Sequence, residues 1–304
     1  MPTIKNRTEL LFLYEIENTN PNGDPLNENR PRFDSEENKV LVSDVRLKRT
    51  IRDYWFEYKG YNGENGNDIF VRETKYEKGG LNDAKERAKA FSEKKEVVLE
   101  KCIDIRVFGG VLPLKNDSLT FTGPTQFQMG KSLHPVEVVT EQGTGAFAST
   151  AGKGQATFRT EYKIPYAVIG FNGIINEKAA QYTLMSEEDK KLLTEGIWEG
   201  TKNLISRSKF GQNPLLLLSI TYKEPFYIGG LRQRLKLKAI DKSDLQIRSL
   251  TDFSLALDDL IDELKSYQGK IDNIEIKLDR RLQLTYQGNL LSLQNGKVTL
   301  NAIS

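Results

Sequence analysis

The chain of 304 residues has one cysteine and one histidine, and these two counts exclude several classes of function. A zinc site of the usual kind needs three or four cysteine or histidine ligands, so one chain cannot build it. Cys102 cannot form an internal disulfide, which is typical of a protein of the reducing cytoplasm. A nucleophilic triad would depend on His134 alone, and we interpret His134, beside Pro135, as a structural or ligand-contacting residue. We therefore expect no metal and no other cofactor.

Long apolar runs and a strong net charge are also lacking. No run of eighteen apolar residues occurs, so no membrane span is predicted, and the N-terminus lacks the features of a signal peptide. The formal net charge is +2, so any nucleic-acid role must come from local clusters of cations. With 38% hydrophobic residues and a mean hydropathy of −0.51, the chain can bury a core and still carry much polar surface.

The order of the main predicted elements is β-α-β-β-α-β. Apolar runs predict strands at 9–18, 118–129, 162–175 and 214–223, and capped periodic segments predict helices at 43–56 and 186–206. Ser43 is the expected N-cap of the first helix, and Ser186 with Asp189 forms a capping box before the second. This order predicts an α+β fold with a ferredoxin-like, RRM-like palm, the arrangement shared by RRM-type RNA binders.

The remaining segments are predicted to decorate this palm. Residues 57–104 contain turns and one charged helix (DAKERAKAFSEKKEVVLEK), which indicates an insertion on the surface. A Gly-rich stretch near 141–162 predicts a flexible protruding hairpin. Further elements are expected as a strand at 106–114, a helix at 251–265, strands at 271–278 and 281–286, and a final hairpin that turns at Asn295-Gly296.

The first helix is predicted to carry a cationic stripe. At 100° per residue its apolar side chains fall on one face, and Lys48, Arg49 and Arg52 fall on the opposite face with Arg46 on a flank. Such a stripe suits phosphates, which need charge and donors but no base-edge geometry. A solvated basic face is the alternative, and the pattern alone does not decide between them.

Two loops offer further phosphate contacts. NTNPNGDP (18–25) is rich in turn-forming residues, so it is either a long connection or a loop that holds backbone amides toward a ligand. Gly130-Lys131-Ser132 resembles the end of a P-loop, but Thr125 stands where that motif needs glycine, so ATP binding is not predicted. Lys131 remains a candidate for approaching a phosphate.

Two more cationic segments and one acidic group complete the candidates. Lys153 and Arg159 lie among the glycines of the predicted hairpin, and Arg207 and Lys209 lie beside Phe210. Phe210 is interpreted as capping the core rather than stacking on a base. Carboxylates near the opening loop, at Asp24, Asp34 and Asp44, are of the kind that holds Mg²⁺, but nothing in their spacing selects such a site.

Four segments taken together resemble a known family. NTNPNGDP, VSDVRLKRTIRDYW, DIRVFGG and GPTQFQMGKSLHPVEV, in that order, are similar to the backbone subunit of type I CRISPR Cascade complexes. This is the seventh Cas protein family, of the RAMP superfamily, and the type I-B branch is most similar. The resemblance covers about residues 9–225.

The resemblance implies a domain plan and partners. The palm would comprise 1–56, 105–134 and 162–304, the last with a C-terminal α/β extension, while 57–104 would be a fingers-like insertion and 135–161 a thumb-like hairpin. Copies of such a subunit polymerise along the CRISPR RNA beside other Cascade subunits, and the guide pairs with target DNA in antiviral defence. Binding is to the RNA backbone and independent of sequence.

The resemblance also implies an RNA groove and no catalysis. The expected RNA-binding residues are Asn20, Asn22, Arg46, Lys48, Arg49, Arg52, Gln126, Lys131, Ser132, His134, Lys153, Arg159, Arg207 and Lys209. Related type III subunits cleave target RNA with an aspartate in the loop after the first strand, where Asp24 lies here. A metal-dependent endoribonuclease using Asp24 is therefore the alternative function, and a structural protein whose basic patches meet acidic partners is a third.

Overall fold

The protein was analysed as a computed structural model that describes residues 2–76, 79–113, 118–148 and 156–300. The helices are α1 Asp44–Tyr58, α2 Ala84–Lys89, α3 Lys95–Lys101, α4 Ile103–Phe108, α5 Glu177–Thr183, α6 Glu187–Lys202 and α7 Asp258–Ser266. The strands are β1 Thr8–Thr19, β2 Gly23–Asp24, β3 Arg30–Pro31, β4 Phe33–Asp34, β5 Lys39–Val42, β6 Gly109–Pro113, β7 Ser118–Thr122, β8 Thr125–Phe127, β9 Gly130–Ser132, β10 Val139–Ala148, β11 Ala156–Ile175, β12 Gln212–Tyr222, β13 Lys236–Ala239, β14 Phe253–Ala256, β15 Ile271–Leu278, β16 Leu284–Tyr286, β17 Asn289–Leu291 and β18 Gly296–Lys297.

The core of the molecule is one large antiparallel sheet with β1 near its centre. Its strands follow the order β18-β15-β12-β1-β11-β9-β5-β4, and β8 and β10 also pair with β11. β1 is antiparallel to both neighbours, with Phe12 opposite Phe171 on β11 and Leu217 on β12. The mixed α+β class predicted from the sequence is confirmed, and the predicted strands 9–18, 162–175 and 214–223 and both predicted helices are present with shifted ends. The predicted single strand 118–129 is wrong, because the chain is interrupted at Gly123, which packs against the Phe108 backbone. Only β8 pairs with the large sheet, whereas β7 pairs with β6 in a separate ribbon.

Both faces of this sheet are covered, which explains the apolar run LLFLY at residues 10–14 of β1. Because side chains alternate along a strand, one set packs beneath α1 and α6, namely Leu10, Phe12, Tyr14 and Ile16. The other set, Leu11 and Leu13, packs against the C-terminal elements. The two helices also contact each other, because the Trp55 indole Nε1 donates to the Leu192 carbonyl at 2.9 Å. Gly196 permits this approach, since a Cβ there would lie 2.9 Å from Ile51 Cγ2.

The insertion differs from its prediction in two places. The single charged helix is in fact α2 and α3, separated at Ser92 and Glu93, whose φ angles are 57° and 53°. Residues 106–108, predicted as strand, end helix α4, and the strand begins only at Gly109, with φ 70°. The reason is tertiary, because Phe70, Phe91, Val98, Leu99 and Cys102 of the insertion form a small separate core together with Phe121 of β7.

The hairpin that leaves the sheet is continuous with it. β11 pairs with β1 from Ile164 to Ile175, and its earlier half pairs with β10 from Ala156 to Lys163. The predicted hairpin is therefore present, and it shares one strand with the sheet. Lys153 lies outside the described residues.

The C-terminal part contains two corrections. The predicted helix 251–265 begins only at Asp258, because Phe253 and Leu255 alternate inward as strand β14. The predicted turn at Asn295-Gly296 is wrong, since the chain turns at Gln287-Gly288, where both φ angles are positive, and Gly296 instead pairs with β15. Among the described residues, no helix is long and apolar enough to cross a membrane.

Candidate nucleic-acid interface

The opening loop is a shaped ribbon and not an irregular connection. Gly23–Asp24 pairs with Arg30–Pro31 in a small antiparallel ribbon that leaves the end of β1. The Asn22 side-chain oxygen accepts from the Ser43 backbone N–H at 2.8 Å, and Ser43 is the N-cap of α1, as predicted. The Asn20 side chain donates to the Asn29 carbonyl at 2.7 Å. These bonds fix the loop against both β1 and α1, so the asparagines set its shape.

The prediction of a free cationic stripe on α1 is wrong. Lys48 Nζ lies 3.1 Å from Asp44 and 3.1 Å from the Gln126 side-chain oxygen, and the lysine side chain is 12% exposed. Arg52 is equally buried, and its Nε lies 3.1 Å from the fully buried Asp104. Asp104 also accepts from the Phe70 and Val71 N–H groups of the insertion. Lys48 and Arg52 therefore join α1 to neighbouring elements.

Arg49 is the member of the predicted stripe whose side chain stays mostly exposed, with an exposed fraction of 57%. Its Nε lies 2.6 Å from Asp53 of the same helix. An exposed ion pair of this kind is weak and is readily exchanged for a phosphate. The contact of Arg49 with RNA remains a prediction.

The Gly130-Lys131-Ser132 segment forms β9 and is occupied by internal contacts. Lys131 Nζ lies 2.9 Å from Asp34 and 2.6 Å from Glu37, and these two hydrogen bonds raise its pKa. Ser132 is 2% exposed and donates to the His134 carbonyl at 2.8 Å. Lys131 therefore joins β9 to β4 and to the turn between β4 and β5, and its positive charge is already balanced by two carboxylates.

His134 is buried, in agreement with its interpretation as a structural residue. The side chain is 2% exposed, and its ring stacks on Tyr166 with centroids 6.4 Å apart. Its Nδ1 lies 2.9 Å from the Pro135 carbonyl and 3.2 Å from the Asp244 carbonyl. Burial lowers the pKa of His134, which favours the neutral ring. This conformation does not present His134 or Ser132 to an RNA, so the predicted contacts there receive no support from the geometry.

Other predicted residues converge at what we call the strand-end surface, made of residues 20–32, 159–163 and 205–211 around the end of β1. A cavity of about 170 Å³ lies here, lined by Asn20, Glu28, Asn29, Arg159, Thr160, Glu161, Tyr162, Lys163, Arg207 and Ser208. The Arg159 guanidinium lies 2.7 Å from Glu161, and Arg207 contacts the same carboxylate. Two half-exposed cations thus share one acidic group, which leaves this part of the surface with a net positive charge.

Arg46 and Lys209 lie at the inner side of the strand-end surface. Lys209 Nζ donates to the Asn20 carbonyl, and Arg46 Nη1 donates to the Thr50 hydroxyl at 2.5 Å. Burial and, secondly, the positive charge of Arg46 lower the pKa of Lys209 to about 8. Burial also lowers the pKa of Arg46. Among the described residues neither cation has a carboxylate within 4.0 Å.

Phe210 extends from the same loop into solvent. Its side chain is 69% exposed, so the interpretation that it caps the core is wrong. The backbone N–H of Phe210 donates to the Ser206 carbonyl at 2.8 Å. The backbone is thus fixed at this position, while the ring is exposed to solvent. An exposed aromatic ring beside cations is a platform on which a nucleobase can stack.

Sequence reasoning missed a cluster of Glu28, Arg30 and Tyr162 that joins the loop to the hairpin. The Arg30 guanidinium lies 4.5 Å from the centre of the Tyr162 ring and donates to the Tyr162 hydroxyl at 3.1 Å. That hydroxyl donates to Glu28 at 2.9 Å, which lowers the pKa of Glu28. The available signal was the pair of arginines around Pro31 in ENRPR, directly after the loop.

The contacts of Asp24 stabilise the turn in which it lies. Its carboxylate accepts from the Leu26 N–H at 3.2 Å and lies 3.5 Å from Arg32. Its backbone carbonyl accepts from Asn27 and Asn29 and closes the turn. Within the described parts of the chain, no group of three or more His, Cys, Asp or Glu side chains is placed to hold a metal ion.

Comparisons with known proteins agree with one another. The family model of CRISPR-associated protein Cas7 matches residues 6–258. CRISPR-associated protein Cas7 of Haloferax volcanii is 32% identical over 314 aligned positions, which cover 93% of this chain and 89% of that protein.

Two solved structures resemble the fold over nearly its whole length. One is a CRISPR RNA-guided surveillance complex, pre-nicking, with a TM-score of 0.54 at 11% identity, covering 92% of this chain and 96% of the matched chain. The other is a CRISPR RNA-guided surveillance complex, with a TM-score of 0.52 at 12% identity, covering 93% and 95% of the two chains. At such identities the likeness concerns the fold.

Proposed function

Because the chain belongs to the CRISPR-associated Cas7 family, we propose that it is the CRISPR RNA-binding backbone subunit of a type I Cascade surveillance complex. The match of the family model over residues 6–258 carries this proposal, since it includes the insertion, the hairpin and every strand of the large sheet except β15 and β18. The type I-B branch is the proposed subtype and the cytoplasm the proposed compartment. The subunit assembles with copies of itself and with other Cascade subunits along the guide, which pairs with target DNA.

The strand order supports a ferredoxin-like palm as the centre of this subunit. In the sheet the order is β12-β1-β11-β9, which is the order 4-1-3-2 of the β-α-β-β-α-β arrangement, with α1 and α6 on one face. The insertion then corresponds to the proposed fingers, and the β10–β11 hairpin to the proposed thumb.

The strand-end surface supports binding through the RNA backbone. Arg46, Arg159, Arg207 and Lys209 come from three separate segments. Arg159 and Arg207 line one cavity, the charge of Arg46 acts on Lys209, and the exposed Phe210 follows Lys209 in the chain. Cations and an aromatic platform recognise phosphates and stacked bases of any sequence. The expected affinity therefore falls steeply with salt and varies little with the spacer sequence.

Co-purification tests the proposed function. The protein is expressed with a CRISPR array and its partner subunits and purified at moderate salt, and the bound nucleic acid is sized on a denaturing gel. One RNA of uniform length in a particle far larger than 34.6 kDa is the expected result. A monomer free of nucleic acid would contradict the proposal and favour a structural protein with a solvated basic surface.

We also propose that the subunit does not cleave RNA. The contacts of Asp24 with Leu26 and Arg32 support a structural role for this carboxylate. The test incubates the purified complex with complementary RNA and Mg²⁺, and compares it with Asp24→Asn. No cleavage by either protein is expected, whereas regularly spaced cuts that Asp24→Asn abolishes would establish the endoribonuclease alternative.

A further inference from the structure

Buried polar atoms without partners are concentrated where β1 ends. Thr19 Oγ1, Asn20 Oδ1 and Gln212 Nε2 are buried and make no hydrogen bond among the described residues. These atoms belong to neighbouring pieces of chain, since β1 pairs with β12 as far as Gln212 and the Asn20 N–H donates to the Ser208 carbonyl at 3.1 Å. An unpaired buried polar atom is costly, so native structures retain few of them. Two of the three, the Thr19 hydroxyl and the Gln212 amide nitrogen, can donate to a bound anion, whereas the Asn20 side-chain oxygen only accepts. Two unpaired donors at one strand end indicate a place that can receive an acceptor group.

Two desolvated cations lie at the same strand end. Lys209 holds the carbonyl of Asn20, one of the residues with an unpaired atom, and Arg46 is close enough for its charge to act on Lys209. Each cation donates to a neutral oxygen, from a carbonyl and a hydroxyl respectively. Two like charges held together in a partly buried position repel each other, and a bound anion removes this repulsion.

The remaining charged groups around the pair do not supply that anion. On β1, burial raises the pKa of the Tyr14 phenol, which therefore stays neutral. On α1, Asp53 forms its ion pair with Arg49, and on β11 Glu161 is shared by Arg159 and Arg207. Asp53 and Glu161 thus already have partners.

We propose that Arg46 and Lys209 form a single phosphate-binding site, in which one phosphodiester of the bound RNA lies between the two cations above Thr19 and Gln212. This inference rests on the proposed function for the identity of its ligand, and it specifies where one phosphate is held. A phosphate between the two side chains favours the charged form of Lys209. RNA binding therefore takes up a proton, and the affinity falls as the pH rises through the range in which free Lys209 loses its charge.

Lysine NMR of the full-length protein tests the site with inorganic phosphate as the probe. In protein labelled at lysine Cε, the Lys209 signal is expected to titrate near pH 8, and phosphate is expected to move the midpoint upward. In Arg46→Gln the midpoint of free Lys209 is expected to rise without phosphate, because the repelling charge is gone, and phosphate then has little further effect. A Lys209 midpoint that phosphate does not move in the wild-type protein would overturn the inference.

RNA binding as a function of pH tests the proton linkage. With a short single-stranded RNA, the wild-type affinity is expected to fall above pH 8, by at most about tenfold per pH unit for one linked proton. Lys209→Arg keeps the charge, so it should bind well and lose this pH dependence, whereas Lys209→Gln should bind weakly at every pH. Lys191→Gln is the matched control, because Lys191 is an exposed lysine on α6, and it should behave as the wild type.

The outcomes separate this inference from the proposed function. Unchanged RNA affinity in Lys209→Gln would overturn the phosphate site and leave the RNA-binding subunit intact. A wild-type protein that shows the phosphate-linked titration of Lys209 and yet binds no RNA would uphold the site and overturn the proposed function. A merely structural Lys209 would give neither the upward shift with phosphate nor the loss of pH dependence in Lys209→Arg.

Discussion

The cations along α1 and the cations at the strand-end surface are similar in sequence and different in surroundings. Lys48 and Arg52 each contact a carboxylate and are mostly buried, so their charges hold the protein together. Arg46 and Lys209 are also partly buried, but the acceptors that they contact in the described part of the chain are neutral. A cation that is already paired has little left to offer a phosphate, so the number of cations in a segment does not indicate its role. The predictions below test this division.

The largest expected effect is on stability, from Arg52→Gln. Asp104 would keep two backbone donors but lose its cation in a buried position, which we expect to lower the free energy of unfolding by roughly 3 kcal/mol. Urea denaturation measures this, with Arg49→Gln as the control, whose exposed pair should contribute less than about 0.5 kcal/mol. Equal effects of the two substitutions on the free energy of unfolding would show that burial does not make the Arg52–Asp104 pair more stabilising than the Arg49–Asp53 pair.

Phe210→Ala is expected to act on binding alone. The ring is 69% exposed, so its removal should leave the free energy of unfolding within about 0.5 kcal/mol of wild type. Loss of one stacked base should weaken RNA affinity roughly tenfold. Fluorescence anisotropy with a short RNA measures the affinity, and a folded variant that binds as tightly as wild type would remove Phe210 from the interface.

Arg207→Gln should weaken RNA binding by a smaller factor. One exposed cation at the strand-end surface is lost, so the affinity should fall roughly fivefold, and the slope of log affinity against log salt should decrease by about 1. Titrations at several salt concentrations give this slope. An unchanged slope would mean that Arg207 serves only its ion pair with Glu161.

Lys131→Gln is expected to have the smallest effect on RNA binding, and its signature is a change in acid stability. Hydrogen bonds from Lys131 lower the pKa of Asp34 and of Glu37 below their ordinary values of 3.8 and 4.5. The stabilisation from these pairs is thus present above those values and is lost as the pH falls through the lower, folded-state values. Without Lys131 the loss of stability on acidification should be smaller, as thermal unfolding between about pH 6 and 3 would show. A marked loss of RNA affinity at neutral pH would place Lys131 with the unpaired cations instead.

The central strands and the helices α1 and α6 were readable from the sequence because their signals are local. β1 is apolar on both faces, α6 begins with the predicted Ser186–Asp189 capping box, and each feature lies within a few residues. The misplaced elements are those whose state depends on distant partners. Residues 106–108, predicted as strand, include Val107 and Phe108, which suit a strand, but they are helical because tertiary contacts such as Arg106 with Asp189 hold them.

The sequence predicted which cations the candidate site contains, but it did not predict which of them pair with distant carboxylates. Asp44 with Lys48 and Arg49 with Asp53 are four residues apart on one helix, so those pairs follow from spacing. The partner of Arg52 is 52 residues away, and only the folded chain brings it near. The exposure of Phe210 likewise depends on how the loop after α6 meets the end of β1.

Strand β11 has a mechanical consequence. It is 20 residues long and so spans roughly 66 Å, with one half in the sheet and the other in the hairpin. Since the backbone passes from one half to the other without a break, β11 offers no hinge between Lys163 and Ile164. The hairpin is therefore joined to the core by one continuous strand, which Arg30 contacts at Tyr162. We expect a displacement of its outer part to act directly on the pairing of β1 and β11.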